Sequence, residues 1–175
     1  DSLKVSDIAR RYGTSTNPAR EALQILEGEG LVTITPNRGA SVREINEDMI
    51  HNIFDIRRVL WAYIVRSFVE FATSEEVEEL RQQQLGCEKA VEAGDYSEYH
   101  KYNVRFHDVM VNHHFNSEAV AIIQKHDGWL QALSKTEPLN LAQMRRSVAE
   151  HWRIVEAVEN GDPDEAVRAI EVHIS

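Results

Sequence analysis

The stretch Thr14-Ser-Thr-Asn-Pro-Ala-Arg-Glu-Ala-Leu23 decides the fold of the first part of this chain. Pro18 suits the first position of a helix, where its missing N–H costs no hydrogen bond, and the apolar side chains that follow it form one stripe at helical spacing. Just before this stretch, residues 6–13 have a polar start and end at Gly13, which is typical of the stop of a short helix. The pattern therefore predicts two helices that are joined by a tight turn.

Two short strands are predicted directly after the second helix. Gly28 and Gly30 interrupt the helical pattern, and residues 31–35 and 40–43 then read as strands on either side of a turn at residues 36–39. Helix, turn, helix and β-wing make a winged helix-turn-helix, in which the first turn of the second helix meets base edges and phosphates in the major groove of DNA. The predicted DNA-binding residues lie in that turn and at the wing tip: Ser15, Thr16, Asn17, Arg20, Arg38 and Gly39.

At these residues the chain resembles the GntR family of bacterial transcription regulators. The resemblance is carried by the stretch quoted above, by Leu26-Glu-Gly-Glu-Gly-Leu-Val32 and by the wing tip Pro36-Asn-Arg-Gly39. Thr16 stands where the family usually has an arginine that reads a guanine, so the resemblance implies the fold and leaves the operator sequence open. Because Asp1 lies almost at the first predicted helix, we expect the family's further N-terminal helix to be missing or truncated. The alternative is a helix pair inside a larger helical domain, without a nucleic-acid role.

The net charge of −10 is unevenly divided along the chain. Residues 1–43 carry six basic and five acidic side chains, which gives +1, so the remainder carries −11. Since attraction to phosphate comes from local clusters of arginine and lysine, the first part can bind DNA while the acidic remainder stays away from the duplex.

With 175 residues, 42% of them hydrophobic, we interpret the chain as two domains, residues 1–43 and 46–175.

The composition also bounds the location of the protein. No apolar run is long enough to span a bilayer, and no charged-then-apolar N-terminal signal is present. The single cysteine, Cys87, excludes an internal disulfide framework. We therefore expect a cytoplasmic protein without a membrane partner, in which Cys87 is a buried or half-buried helix residue.

From Asn46 onward the pattern is helical, with almost no strand signal. An apolar face runs to about residue 71 and comprises Ile50, Ile53, Phe54, Ile56, Val59, Leu60, Tyr63, Ile64 and Phe68. Further helices are predicted over residues 74–93, 96–112, 117–133, 139–160 and 163–174. Thr73-Ser-Glu-Glu76 predicts a capping box at the start of the second of these helices. Six helices with short links predict an all-α antiparallel bundle, so the chain as a whole is mainly α.

Three of these helices place a polar side chain on the face that should be buried. Asn103 and His107 are four residues apart, and His151 and His173 stand in line with apolar residues of their own helices. Taken singly, a buried histidine is more often a hydrogen-bonded core residue than a ligand. Three that converge can bind one metal ion, and imidazole with an amide oxygen suits a divalent transition metal such as zinc or nickel.

This second part resembles the FCD ligand-binding domain of FadR-type GntR regulators, over nearly all of residues 46–175. Metal-binding members show Asp-x-x-x-His, then Glu-His, then a last histidine that follows a Gly-Asp turn. The resemblance therefore implies a ligand set at these positions: Asn103, His107, His151 and His173. The asparagine replaces the family's aspartate and so removes a negatively charged ligand.

Arg57 matches an arginine that often faces the effector pocket in this family, where its planar guanidinium would pair with a carboxylate ligand. A solvated or intersubunit salt bridge is the alternative for this residue. Trp61 stands where the family has a glutamate, so the resemblance implies a pocket of different shape. The other histidines we expect at the surface or at helix ends: His51, His100, His113, His114 and His126.

These features together predict a homodimeric transcription regulator that binds a two-fold symmetric operator in double-stranded DNA. Repression is the predicted mode of regulation. We expect a small carboxylate effector to bind the metal and Arg57, and so to change the bundle packing and the spacing of the two DNA-binding heads. A metal-dependent hydrolase is the alternative from another class, because histidines around an open metal site can activate water. A helical interaction module that has lost DNA binding is the third reading.

Overall fold

The computed structural model describes residues 2–36, 38–43, 46–112, 116–134 and 139–174. Two compact units follow one another along the chain, Asp1–Ile50 and His51–Ser175. The elements of the first unit, in chain order, are β1 Ser2–Leu3, α1 Val5–Arg11, α2 Thr16–Gly28, β2 Val32–Thr35 and β3 Gly39–Val42. The helices that follow are α3 Glu47–Phe71, α4 Ser74–Glu92, α5 Tyr96–Asn112, α6 Ser117–Ser134, α7 Leu141–Glu159 and α8 Pro163–His173. The prediction of a winged helix-turn-helix followed by an all-α bundle is confirmed.

The sheet of the first unit has one strand more than the sequence predicted. Its order is β1-β3-β2, and both pairings are antiparallel. With two residues, β1 is too short to show an alternating pattern. Gly39 begins β3 with φ +90°, and a Cβ there would stand 2.7 Å from the Leu3 carbonyl oxygen. Glycine is therefore required where β3 comes against β1.

The helix-turn-helix packs on this sheet through a small apolar core. Leu23 of α2, Val32 of β2 and Ala40 of β3 are its buried members. The Glu27 side chain also accepts a hydrogen bond from the Ile34 N–H at 2.8 Å, which ties α2 to the wing. The wing-tip residue Asn37 lies outside the described residues.

Pro18 is not the first residue of its helix, as the sequence predicted, but the third. The helix begins at Thr16, after the N-cap residue Ser15. The first four N–H groups of a helix have no partner within it, so a proline anywhere in the first turn removes no intrahelical bond. The sequence signal marks the first turn and cannot distinguish its positions.

The second unit is built around one large apolar core. Trp61, Ile64 and Val65 of α3 are fully buried in it, together with Phe106 of α5 and Ile154 of α7. A smaller cluster between α4, α5 and α7 includes Cys87, as predicted for a buried cysteine, and burial raises the pKa of its thiol to about 12. In the described part of the chain, every helix is too short or too polar to cross a membrane.

Helix ends in this unit carry the expected caps. The Thr73–Glu76 capping box is present, and Asn140 forms a second one with Gln143. The Asp162 side chain accepts hydrogen bonds from the N–H groups of Asp164 and Glu165 at 3.1 and 2.9 Å. The starts of α4, α7 and α8 are thereby set by local side-chain chemistry.

The buried face of α3 agrees with the predicted one at Ile53, Ile64 and Phe68 and differs from it elsewhere. Ile56 and Val59 are 47% and 70% exposed, whereas Arg57 and Trp61 are 8% and 0% exposed. Apolar side chains surround most of this helix, so their spacing alone does not select the face that packs against the bundle. A buried arginine in the middle of the helix is the feature that matters for the site.

Candidate metal centre and ligand cavity

Three helices bring the three predicted histidines together. His107 lies on α5, His151 on α7 and His173 at the end of α8, and one ligand nitrogen from each lies within 4.8 Å of the other two. The His173 Nε2 atom is 3.2 Å from the Nε2 atoms of both His151 and His107. The Phe106 ring stacks on the His151 ring, with 4.0 Å between the centroids, and holds its orientation. The helical period puts each histidine on the buried side of its own helix. The packing of α5, α7 and α8 in the bundle then brings the three rings together.

The other ring nitrogens of two of these histidines have partners that set the position of the proton. The His151 Nδ1 atom is 3.0 Å from the Gln84 side-chain oxygen, because the Gln84 amide nitrogen donates to the Val148 carbonyl. The His173 Nδ1 atom is 3.1 Å from a Glu150 carboxylate oxygen. Assigned from this network, both Nδ1 atoms donate, and both Nε2 lone pairs point toward each other.

This arrangement fits a divalent transition metal. Two Nε2 lone pairs face one another without a proton between them, and the His107 Nε2 atom also lies 3.2 Å from that of His173. Nitrogen ligands about 2.0–2.1 Å from a tetrahedral ion stand about 3.3 Å apart, which agrees with the 3.2 Å separations. A cation between the rings would satisfy all three lone pairs.

Burial holds two of the histidines, His107 and His151, in the neutral state that metal binding requires. Burial, then the neighbouring His173 and Arg57, lowers the pKa of His107 well below its ordinary value. Burial, then His173 and His107, does the same to the pKa of His151. A ligand that is neutral near pH 7 does not have to lose a proton before it binds the ion.

Asn103, the fourth predicted ligand, lies on α5 one turn before His107 and lines the same cavity. Its side-chain oxygen accepts a hydrogen bond from the Tyr99 hydroxyl at 3.4 Å. Burial raises the pKa of Tyr99 to about 12, so the hydroxyl stays protonated and remains a donor. The role of Asn103 as a metal ligand stays a prediction.

A cavity of about 460 Å³ opens beside the histidine cluster. Its wall includes His107 and His173, and Arg57 of α3 lies in the same wall. The Arg57 guanidinium is nine-tenths buried and forms an ion pair with Asp127 of α6 through a single nitrogen, while its Nε atom has no partner among the described residues. Arg57 thus forms a salt bridge, the alternative considered for it, but the pair is partly buried and lies within the chain.

Several residues of the site carried no signal that sequence reasoning used. Asp127 and Asp108 both line the cavity, and burial, followed by the nearby Asp127, raises the pKa of Asp108. Gln84 is fully buried against His151. The Trp61 ring meets the His107 ring edge-on at 4.9 Å between centroids. Trp61 had already been singled out, because it replaces a glutamate of the family, and Glu150 formed part of the family's Glu-His pair with His151.

The prediction that His126 lies at the surface or at a helix end is wrong. His126 on α6 is 9% exposed and packs against the Trp129 ring, since three turns of that helix face the bundle. His51 is exposed, and His100 is partly buried, where its ring stacks on Tyr96. His113 and His114 lie outside the described residues.

The predicted DNA-binding residues are exposed in the described structure, except Gly39, which is partly buried. Thr16, Asn17 and Arg20 are exposed in the first turns of α2, and Arg38 is exposed beside the start of β3. The Ser15 side chain forms no cap hydrogen bond within the described chain, so its hydroxyl is available to another partner. Arg20 forms no ion pair with any described residue.

Comparison with known proteins agrees with this two-part architecture. Residues 52–175 match the model of the FCD domain, and residues 1–42 match that of the bacterial regulatory proteins of the gntR family. The chain belongs to the GntR family. It is a DNA-binding transcription regulator with an FCD domain. Because this is a family of regulators and not of enzymes, the hydrolase alternative falls away.

Relatives and solved structures support the same assignment of this GntR regulator. It is 24% identical over 174 residues to the uncharacterized HTH-type transcriptional regulator YdhC of Bacillus subtilis, covering 99% of this chain and 78% of that protein. The HTH-type transcriptional repressor RspR of Escherichia coli is 22% identical, with 98% and 75% covered. The structure of E. coli McbR/YncC shares the fold, with a TM-score of 0.76 at 22% identity over 99% of this chain and 83% of that one.

Replacing Gln84 with methionine is expected to weaken zinc binding by about 10- to 100-fold, the usual cost of losing a hydrogen bond that orients a metal ligand. Methionine has similar length but cannot accept the His151 Nδ1 proton, so the ring loses its fixed tautomer. Competition with a chromophoric chelator measures the affinity. Gln82→Met is the control, because Gln82 is exposed on the same helix and, among the described residues, bonds to Glu78 and not to the histidine cluster. Equal affinities in both variants would contradict the orienting role of Gln84.

Proposed function

We propose that this GntR regulator is a cytoplasmic repressor that binds its operator as a homodimer and responds to a small organic acid at a metal site in its FCD domain. The observation that carries the proposal is the cluster of His107, His151 and His173 at the wall of a cavity that also contains Arg57. GntR regulators bind DNA operators and typically act as dimers, and the relative RspR is named a repressor.

The residues proposed to bind the metal are the three histidines. The side-chain oxygen of Asn103, from the adjacent turn of α5, is the proposed fourth ligand. A bound zinc or nickel ion would offer open coordination positions to a carboxylate. Gln84 and Glu150 orient the histidine rings, and Arg57 supplies positive charge and a planar donor group in the cavity wall. These groups favour an anionic ligand with a carboxylate.

Control of DNA binding requires that the acid binds two states of the dimer with different affinity. Arg57 belongs to α3, the helix that begins at Glu47, directly after the segment that matches the gntR family. We infer that binding at Arg57 is transmitted along this helix and changes the spacing of the two DNA-binding heads. A ligand of equal affinity for both states would leave operator binding unchanged.

The test uses operator fragments selected from a random DNA pool with the zinc-loaded full chain. Binding is then measured by fluorescence anisotropy with added carboxylates, with and without a chelator. At least one acid is expected to weaken binding in the metal-loaded protein and to lose this effect after chelation. Operator binding that no acid changes would contradict effector control and leave the DNA-binding role standing.

Arg20→Ala is expected to weaken binding to all DNA sequences and to reduce the slope of log affinity against log salt by about 1. Arg20 is exposed in α2 and has no ion-pair partner among the described residues, so its charge is available to a phosphate. Anisotropy titrations at several salt concentrations measure both quantities. Arg145→Ala, at an exposed position of α7, is the control and should leave the slope unchanged. A wild-type slope in Arg20→Ala would contradict this placement of the recognition helix.

A further inference from the structure

One polar side chain in the first turn of α2 points farther from the buried side of the helix than its polar neighbours. Ala19 and Leu23 are each 3% exposed and mark that buried side, whereas Asn17 is exposed. Since successive residues of a helix turn by about 100°, Asn17 lies about 160° around the axis from Ala19 and about 120° from Leu23. Thr16 and Arg20 lie on the flank, at about 60° and about 100° from Ala19. A helix docked with its outer side in the major groove therefore holds Asn17 deeper than either of them.

The Asn17 amide has no competing partner within the described part of the chain. It forms no hydrogen bond with any residue described there, so its oxygen and its NH₂ group are both available. The first turn of α2 carries no acidic residue, so no carboxylate in this turn opposes the approach of phosphates. The turn is thus open to DNA, with one complete amide group on its outer side.

The chemistry of this amide matches one base. In the major groove adenine presents an acceptor at N7 beside a donor at N6, and a side-chain amide pairs with both at once. Guanine presents two acceptors, which call for arginine or lysine. On the neighbouring outward positions of α2, Arg20 only donates and Glu21 only accepts, while the hydroxyl of Thr16 is a single atom and cannot span two groups of one base.

We propose that Asn17 sets the base specificity of α2, through a bidentate contact of its amide with N6 and N7 of one adenine in each half-site of the operator. Arg20, on the flank, binds phosphate whatever the sequence. The inference rests on the proposed function, since it takes α2 as the recognition helix of a homodimer. The two-fold symmetry of a dimer places this adenine at equivalent positions of the two half-sites.

The experiment selects operator sequences from a random DNA pool with the zinc-loaded full chain, and then measures every single-base-pair variant of the consensus by fluorescence anisotropy. Replacing one A·T pair in each half-site is expected to weaken binding of the wild type by about 5- to 150-fold, the usual value of a bidentate base contact. Asn17→Ala should bind all four base pairs at that position within a few-fold of one another. 7-Deazaadenine there, which lacks the N7 acceptor, should weaken the wild type by about 2- to 10-fold and leave Asn17→Ala unaffected. The salt slope of Asn17→Ala should equal that of the wild type, because the substitution removes no charge.

Gln24→Ala is the matched control, because Gln24 is an exposed amide of the same helix, about 10 Å further along its axis. This variant should keep the wild-type preference, and the inference is overturned if Gln24→Ala alone loses the preference for adenine. A preference that Asn17→Ala loses at a pair other than A·T, or at no pair, would overturn it as well. The proposed placement of α2 still stands in those cases if Arg20→Ala lowers the salt slope. It fails together with the inference if neither Asn17→Ala nor Arg20→Ala changes DNA binding.

Discussion

Replacing His107 and His151 together with alanine is expected to reduce bound transition metal from about one ion per chain to background. Two of the three converging Nε2 atoms are then missing, and His173 alone does not hold an ion against competing water. Elemental analysis of protein purified after incubation with zinc or nickel measures the content. The pair is buried or half-buried, so the folded state of the variant is checked by circular dichroism.

The same variant separates the metal from the rest of the fold. A ligand that binds only the native state at 100 times its dissociation constant stabilises it by about 2.7 kcal/mol. Zinc should therefore raise the unfolding temperature of the wild type and leave that of the double variant unchanged. His51→Ala, in an exposed position outside the cluster, should behave as the wild type. A wild-type protein that takes up neither zinc nor nickel would end the metal proposal and assign the histidines to direct contact with ligand.

Gly86→Ala is expected to destabilise the helical unit by about 1–3 kcal/mol, the usual cost of an overpacked core. Gly86 is buried in α4 beneath the Tyr102 ring of α5, and a Cβ there would stand 2.6 Å from the ring Cγ atom and nearer still to two other ring atoms. The close packing of α4 on α5 thus depends on the missing side chain. Chemical denaturation measures the free energy of unfolding.

Two further variants test the cause of this destabilisation. Gly128→Ala, in α6, meets no heavy atom within 4 Å of the added Cβ and should stabilise by about 0.5–1 kcal/mol through helix propensity. Adding Tyr102→Leu to Gly86→Ala should restore part of the lost stability, since the shorter side chain leaves room for the methyl group. A stable Gly86→Ala protein would show that α5 can shift without cost.

The DNA-binding unit was predictable because its signals are local. The proline in the first turn, Gly13 and Gly39, and the alternation of the wing each depend on neighbouring residues. The position of Pro18 within the turn was wrong by two residues, since several positions there tolerate proline. Strand β1 was missed, because it exists only through pairing with β3.

The candidate site was predictable only in part. Helical spacing and the family resemblance selected His107, His151 and His173, and the structure brings them together. Nothing in the spacing indicated Gln84, which lies 67 residues from His151, or Asp127, 70 residues from Arg57. The assignment of His126 to the surface was wrong for the same reason.

The sequence by itself determined the order of the helices and the two wing strands, the Thr73 capping box and most of the inward-facing positions of the bundle. These depend on turn chemistry and on a period of about 3.6 residues, which act over one or two turns. Only the tertiary structure decided which face of α3 is buried, that the Nε2 atoms of His151 and His173 come within 3.2 Å, and that Arg57 meets a carboxylate of α6. Such contacts join residues far apart in the chain, so the packing of whole helices decides them.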